Sequence, residues 1–316
     1  MTRVVVLMGG RSSEHQVSLD SAESVASALR ARGHEVTTIE IGRDERWLPD
    51  GATIELLRNT EVVFPVLHGP FGEDGSVQGL LELAGVAYVG AGVAASSLAM
   101  DKDLFKSVLR DHGIPVTRNF TLRSGDEPDN PYGYPVFVKP ARLGSSVGIS
   151  KAHDENELRT AVALAFEHDE KVLVEEFVDG IEVEVGILGN REPVASIPGE
   201  IVVARNEWYD YSAKYEEGGM ELVVPPRITS AQIARVRELA LAAFVASECE
   251  GMARVDMFVR NDGEVLVNEL NTIPGFTGTS VYAKLFEAAG IPYADLLERL
   301  IELALERHRR RAGLRY

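Results

Sequence analysis

Only one cysteine, Cys249, occurs in 316 residues. No intramolecular disulfide can form, and no thiolate metal cluster can be built. Long apolar runs are absent too. The most apolar later stretch, Leu239 to Ala246, is eight residues, too short to span a bilayer. Met1-Thr2-Arg3 leads directly into an apolar run that Gly9-Gly10 ends, so no signal peptide is read and a cytoplasmic protein is expected. Positive charge is short: the formal net charge is −17. That argues against general nucleic-acid binding and against an anionic membrane surface. A polyanionic substrate would have to be met by a local cluster of cations. Lysine is scarcest, seven against 25 arginines, which makes Lys102, Lys139 and Lys214 conspicuous inside the motifs below. What is present is ordinary for a soluble protein, 45% hydrophobic and 26% charged, in a chain long enough for two or three domains with substantial cores.

The first ninety residues alternate strand and helix. Val4–Met8 is a continuous apolar run suited to a buried parallel strand. A helix is predicted from about Ser18 to Arg32, with strands at Glu35–Ile41 and Val62–Leu67. A helix at Leu80–Ala84 and a short strand at Val86–Val89 complete an open parallel sheet with flanking helices. Gly90-Ala91-Gly92 is a plausible boundary. Beyond it, Asp101–Asp111 reads as a helix, 117–122 and 136–140 as strands, and Arg123–Tyr134 as a loop. Val172–Phe177 and Ile181–Gly189 are strands parted by Asp179-Gly180, and another strand is expected near Glu192–Glu200. An irregular stretch at 204–220 precedes a helix at Ser230–Ser247, and the last helix, about Tyr293–Arg311, carries a basic end that suits its dipole.

Arg254–Val259 and Val265–Asn271 read as two strands around the turn signal Asn261-Asp262-Gly263. With a two-residue Asp262-Gly263 turn, Asp256 faces Glu269 and Arg254 faces Asn271. These four share one face, while Val255, Met257, Val259, Leu266 and Leu270 take the other, which reads as core. Two carboxylates opposed across a ladder repel each other. A divalent cation removes that penalty, and Asn271 adds a neutral oxygen ligand. Oxygen-only ligation indicates Mg²⁺ or Mn²⁺ rather than zinc. A solvent-facing charged hairpin is the alternative, and a three-residue loop would shift the register and separate the pair.

Other stretches carry chemistry of their own. Lys139-Pro140-Ala141-Arg142-Leu143-Gly144-Ser145-Ser146-Val147-Gly148 resembles a phosphate cradle, with a lysine at a strand end and a loop exposing N–H groups and hydroxyls. Its spacing is not that of a P-loop, and an ordinary Gly/Ser turn is the alternative. Val174-Glu175-Glu176-Phe177-Val178, with Glu182 beyond, could present backbone groups to an adenine edge, or be a surface strand. Gly9–His15 lacks the dinucleotide fingerprint. Glu14 there is either a helix-stabilising charge or a partner for a substrate ammonium. His68, in His68-Gly69-Pro70-Phe71-Gly72-Glu73-Asp74-Gly75, sits at a strand end where open α/β sheets bind ligands, yet lone histidines are more often structural. Trp208–Tyr215 is too aromatic for a solvated loop and either packs on its own domain or closes over a ligand. Thr272–Ser280 leads into a helix near Val281, whose N-terminus is a natural carboxylate site.

In combination and in this order, over nearly the whole chain, these motifs resemble the D-alanine–D-alanine ligase family of ATP-grasp carboxylate–amine ligases. The specific matches are residues 9–18, 68–75, 100–102 (Met-Asp-Lys), 139–148, 209–215, 254–256 and 268–275. The resemblance implies an α/β chain, α+β in its C-terminal half, with an ATP-grasp fold. It would comprise an N-terminal substrate domain (1–92), a central domain (93–180) and a C-terminal catalytic domain (181–316) with a mobile lid at 204–220. It implies ligation of two D-alanine molecules at the expense of ATP, through a D-alanyl phosphate, for peptidoglycan precursors. Lys102, Lys139, Ser145, Ser146 and Lys214 would serve the ATP phosphates. Glu175, Phe177, Val178, Glu182 and Trp208 would serve adenine and ribose. Asp256, Glu269 and Asn271 would hold two Mg²⁺ (or Mn²⁺). Glu14 and His68 would meet the first D-alanine, Ser280 and Val281 the second carboxylate, and Arg254 with the Gly275 N–H the oxyanion. Tyr215, Ser145 and Glu14 would form a hydrogen-bonded set over the site. A homodimer is implied as well. The alternatives are a ligase making D-alanyl-D-lactate and a nucleotide-binding module of the same fold without turnover.

Overall fold

The computed structural model describes residues 1–48, 54–203 and 219–315, and three sheets organise them. In the first, β1 (Arg3–Gly9) lies between β2 (Glu35–Ile41) and β4 (Val62–Pro65), both parallel to it. A two-residue strand, β3 (Trp47–Leu48), runs antiparallel on the β2 edge. Helices α1 (His15–Ala31), α2 (Ile54–Arg58) and α3 (Ser76–Ala84) flank the sheet. The strand expected at 86–89 is reduced to one parallel bridge between Val63 and Tyr88.

Helices α4 (Val93–Met100) and α5 (Lys102–Asp111) follow. The first of them was not anticipated. The second sheet is antiparallel, in the order β5 (Asn119–Arg123), β8 (Lys171–Glu176), β6 (Val136–Pro140), β7 (Ser150–Ala152). It is backed by α6 (Glu155–Phe166), also unanticipated, whose N-cap Asp154 accepts from the Asn156 and Glu157 N–H groups.

The third sheet is antiparallel too, ordered β12 (Met220–Val223), β11 (Gly199–Val203), β9 (Gly180–Gly189), β13 (Gly251–Arg260), β14 (Val265–Asn271), with β10 (Val194–Ala195) on β9. Helix α7 (Ser230–Ala246) enters through a capping box between Thr229 and Gln232. The chain ends in α8 (Val281–Ala288) and α9 (Tyr293–Ala312).

The β13–β14 hairpin differs from its expected form in an instructive way. Its loop holds three residues, not two: Arg260 N–H donates to Glu264 O, and Gly263 N–H to Arg260 O. Near the loop Val259 therefore faces Val265 and Met257 faces Val267. A bulge then skips Asn268, and the pairs Asp256–Glu269, Val255–Leu270 and Arg254–Asn271 return to the register that brings the carboxylates together. The bulge also changes which residues face the core. Val265, Val267 and Leu270 lie in the core, while Leu266, expected there, stands opposite Phe258 on the other face.

Packing crosses the sequence order. Ala95, Ala99, Phe105 and Leu109 of α4 and α5 share one core with β9, β13, β14 and α7. Tyr282, Phe286, Leu296 and Leu300 of α8 and α9 share another with β1, β4 and α1. Helix α9 is tied down by Arg307, 3% exposed. Its guanidinium donates to the Gly90 and Tyr88 carbonyls and lies 4.3 Å from the Tyr88 ring. Replacing Arg307 by Ala leaves two buried carbonyls without their donor and opens a cavity. A loss of about 3 kcal/mol is expected, seen as a lower urea midpoint with an unchanged m-value.

Candidate functional site

The cleft side of the third sheet is built in rows. Cross-strand neighbours share a face, so β9, β13 and the end of β14 present Glu182–Phe258–Leu266, then Glu184–Asp256–Glu269, then Gly186–Arg254–Asn271. Glycine is required in the last row, because a Cβ on Gly186 would lie 2.7 Å from the Phe286 ring. The middle row gathers three carboxylates. Arg254 answers them: its Nε and Nη2 donate to the two Asp256 oxygens, both at 2.7 Å, and Nε lies 3.0 Å from Glu184 Oε2. The Asn271 amide also donates to Asp256, at 3.0 Å. Lys102 Nζ stands 3.6 Å from Glu269 and donates to the Leu143 carbonyl.

Two cavities meet over these rows. The first, about 370 Å³, lies between the second and third sheets and is lined by Lys139, Ser146, Glu175, Phe177, Val178, Glu182 and Glu269. Phe137 and Phe258 also line it and were not anticipated. Glu175 is buried at its base, with Lys139 2.5 Å from one oxygen and the Lys106 ammonium on the other. Burial would raise the Glu175 carboxyl, but the two ammonium groups more than offset it and hold it at about 2. The Lys139 ammonium is in turn raised, burial being outweighed by Glu175 and Glu269.

The second cavity, about 350 Å³, is lined by Glu14, His68, Ser145, Arg254, Asn271, Gly275, Ser280 and Val281. Every residue assigned to the two amino-acid substrates thus borders one space, although they come from four separated stretches of chain. Gly69 and Gly144 close around Glu14, since a Cβ on either would come within 3 Å of Glu14 Oε2 (2.6 and 2.9 Å). The loop carrying Ser145 and Ser146, both in the left-handed region at φ 52° and 58°, is in this way pressed against the first helix. Ser280 is the N-cap of α8 and has its hydroxyl 3.0 Å from the Thr277 N–H, with the Val281 N–H next in line. A smaller space, which Lys102 also borders, shares Ser146 and Glu269 with the first cavity and Ser145 and Asn271 with the second.

His68 is 3% exposed and has both ring nitrogens engaged. Its Nδ1 faces the Ile273 carbonyl at 2.9 Å and its Nε2 the Ser21 hydroxyl at 3.4 Å. Burial lowers its pKa, so a neutral ring linking the loops after β4 and β14 is the fitting state. Glu73 makes a parallel link that sequence reasoning missed. It accepts from Gly69 N–H at 2.9 Å and Ile273 N–H at 2.8 Å. Burial and then the charge of Glu14 raise its carboxyl to about 8. The motif containing Glu73 was visible, but nothing in its spacing separated this acid from Asp74. Lys106 could have been noticed from its i, i+4 relation to Lys102. The expected residues Trp208, Lys214 and Tyr215, and the proposed lid except for its last two residues, lie outside the described residues.

The chain matches two family models, "D-ala D-ala ligase N-terminus" over residues 3–57 and 49–91, and "D-ala D-ala ligase C-terminus" over residues 108–302. It is 46% identical to a D-alanine–D-alanine ligase of Solibacter usitatus, covering 99% of this chain and 98% of that one. Among solved structures, the D-alanine–D-alanine ligase of Coxiella burnetii superposes with a TM-score of 0.86 at 35% identity, over 98% of this chain and 96% of that chain. The Bacillus anthracis enzyme complexed with ATP does so with 0.84 at 30%, over 98% and 100%.

The raised Glu73 carboxyl has a measurable consequence. Between an unfolded value near 4.5 and the native value of about 8, the native state holds the extra proton, so this group makes stability fall as pH rises. The charge of Glu14 adds to the shift, and the Gly69 and Ile273 N–H groups and Arg254 oppose it. Glu73→Gln removes the titration. Relative to the natural protein, the variant should therefore gain stability from pH 5 to pH 8 in urea unfolding. A difference that stays constant across that range would show that Glu73 does not titrate there.

Proposed function

Since the chain belongs to the D-alanine–D-alanine ligase family, we propose that its two joined cavities divide one reaction, with the nucleotide in the first and two amino acids in the second. The chain is an ATP-dependent ligase that joins two D-alanine molecules into D-alanyl-D-alanine, for peptidoglycan synthesis. ATP and D-alanine are its substrates. The observation that carries the division of labour is the small space between the cavities. Lys102, Ser145, Ser146, Glu269 and Asn271 border it, and it is where a γ-phosphate would meet a carboxylate.

In this reading adenine stacks among Phe137, Phe177, Val178 and Phe258, and Glu182 serves the ribose. Lys102 and Lys139 bring positive charge to the phosphates, a local answer to a chain that is acidic as a whole. The N–H groups and hydroxyls of Ser145 and Ser146 serve the same oxygens. Glu14 pairs with the ammonium of the first D-alanine. Its carboxylate attacks the γ-phosphate, giving D-alanyl phosphate and ADP. The neutral amine of the second D-alanine, held through its carboxylate by Ser280 and the Val281 N–H, then attacks the acyl carbon; the C–O bond to phosphate breaks, and the departing phosphate carries off the proton that the nitrogen loses. Arg254 and the Gly275 N–H would stabilise the oxyanion formed in that step. The orientation of Arg254 is already set by Asp256 and Glu184, so little reorganisation is required of it.

Divalent cations fit the middle row. Its donors are hard oxygens only, and three acidic side chains outnumber the cations beside them. Asp256, Glu269 and Asn271 would hold two Mg²⁺ or Mn²⁺ ions, which neutralise charge on the transferring phosphate when bound. The same reading has the chain work as three units, 1–92, 93–180 and 181–316, and as a homodimer in the cytoplasm. No helix of the described residues is long and apolar enough to cross a membrane.

The deciding experiment is phosphate release from ATP with D-alanine, against a control with no amino acid. Release that D-alanine does not stimulate would overturn the assignment. Glu269→Ala should lower that release by about a hundredfold or more while leaving thermal stability unchanged or raised, because a like-charge row loses one member. Retention of most of the activity at saturating Mg²⁺ would remove Glu269 from the metal site.

A further inference from the structure

Lys106 has no part in the steps above, yet it is a fully buried charge at 0% exposure. It lies one turn beyond Lys102 on α5, so the helix turns two lysines toward the cleft. One reaches the junction of the cavities. The other ends beneath Glu175, donating to that carboxylate and to the Thr117 hydroxyl. The second oxygen of Glu175 is taken by Lys139 at 2.5 Å. One carboxylate is therefore answered by two ammonium groups, and they differ in access. Lys139 borders the nucleotide cavity, whereas Lys106 exposes no surface to it.

We propose that Lys106 is a positioning residue for nucleotide binding: as the standing counter-ion of Glu175, it leaves the charge of Lys139 available to phosphate. The proposal rests on the nucleotide reading of the first cavity. If Lys139 were the only partner of Glu175, turning it toward a phosphate would strand a buried carboxylate, which is costly. With Lys106 in place, Glu175 keeps a partner whichever way Lys139 points. Thr117 completes the arrangement by accepting another hydrogen bond from the Lys106 ammonium, which burial would otherwise leave poorly solvated.

The test compares ADP with adenosine, which shares the base and ribose but has no phosphate. Both are measured by displacement of a fluorescent nucleotide from the full-length protein. Lys106→Met should weaken ADP by about tenfold, which corresponds to about 1.4 kcal/mol, and leave adenosine within about twofold. A merely structural disturbance of the cavity would weaken both alike, and that outcome overturns the proposal. So does unchanged ADP binding. Where Lys106→Met fails to fold, the double variant Lys106→Met with Glu175→Gln keeps the question open to measurement. With Glu175 neutral, no counter-ion is needed, and the double variant should match Glu175→Gln alone in its ADP-to-adenosine ratio. A tenfold gap between those two would overturn the proposal. A natural protein that binds ADP no better than adenosine would do the same. Failure of D-alanine to stimulate phosphate release, with the ADP-to-adenosine ratio behaving as expected, would instead strike at the ligase reading alone.

Discussion

The bulge at Asn268 is the constraint on which the site depends. A strand that is core on one face and chemistry on the other tolerates no register slip, because a shift of one residue exchanges the faces. The three-residue loop between β13 and β14 imposes such a shift. Skipping Asn268 undoes it within one step of the ladder, so Asp256 faces Glu269 while Val265, Val267 and Leu270 still reach the core. Asn268 is also put to use: both it and Glu269 line the first cavity, and its side-chain oxygen lies 3.5 Å from Lys139. Bulges concentrate beside functional sites because they can aim two successive side chains to one side.

Around that ladder the molecule assembles charges that are unfavourable singly and consistent together. Glu184 and Asp256 converge on Arg254, Glu175 on Lys106 and Lys139, and Lys171 on Asp101 and Asp103. Buried pairs of this kind contribute little net stability, since desolvation offsets much of the attraction. Their value lies in direction. The Arg254 guanidinium, held by two carboxylates, and the Lys106 ammonium, held between Glu175 and Thr117, cannot wander.

The cavities exist because packing crosses the sequence order. Helices α4 and α5 pack under the third sheet, and α8 and α9 against the first. Loops that are far apart in sequence are thereby joined. Ile273 receives His68 and donates to Glu73, and Gly144 closes on Glu14. The second cavity is the gap that these clasps leave.

Much of this was legible in the residues. The alternation of the first ninety residues specified a parallel sheet, because apolar runs buried on both faces leave few other solutions. The pairing of Asp256 with Glu269 was expected from a two-residue turn; the loop has three residues, and only the bulge at Asn268 restores the pair. The apolar face of β14 could not be drawn correctly, since a bulge is a property of two paired strands and leaves no mark in one. Helix α6 escaped notice, although Asp154 caps it and Leu158, Ala161, Val162 and Ala165 recur on one face. The roles of Lys106, Glu73 and Glu184 were decided by tertiary structure alone. Each lies in an unremarkable helix, turn or strand, and acquires meaning only from what is buried against it. Periodicity and motif spacing determine which residues share a face. They say nothing of which distant charge will lie on the other side of it, because burial and Coulomb energy depend on separation in space and not along the chain.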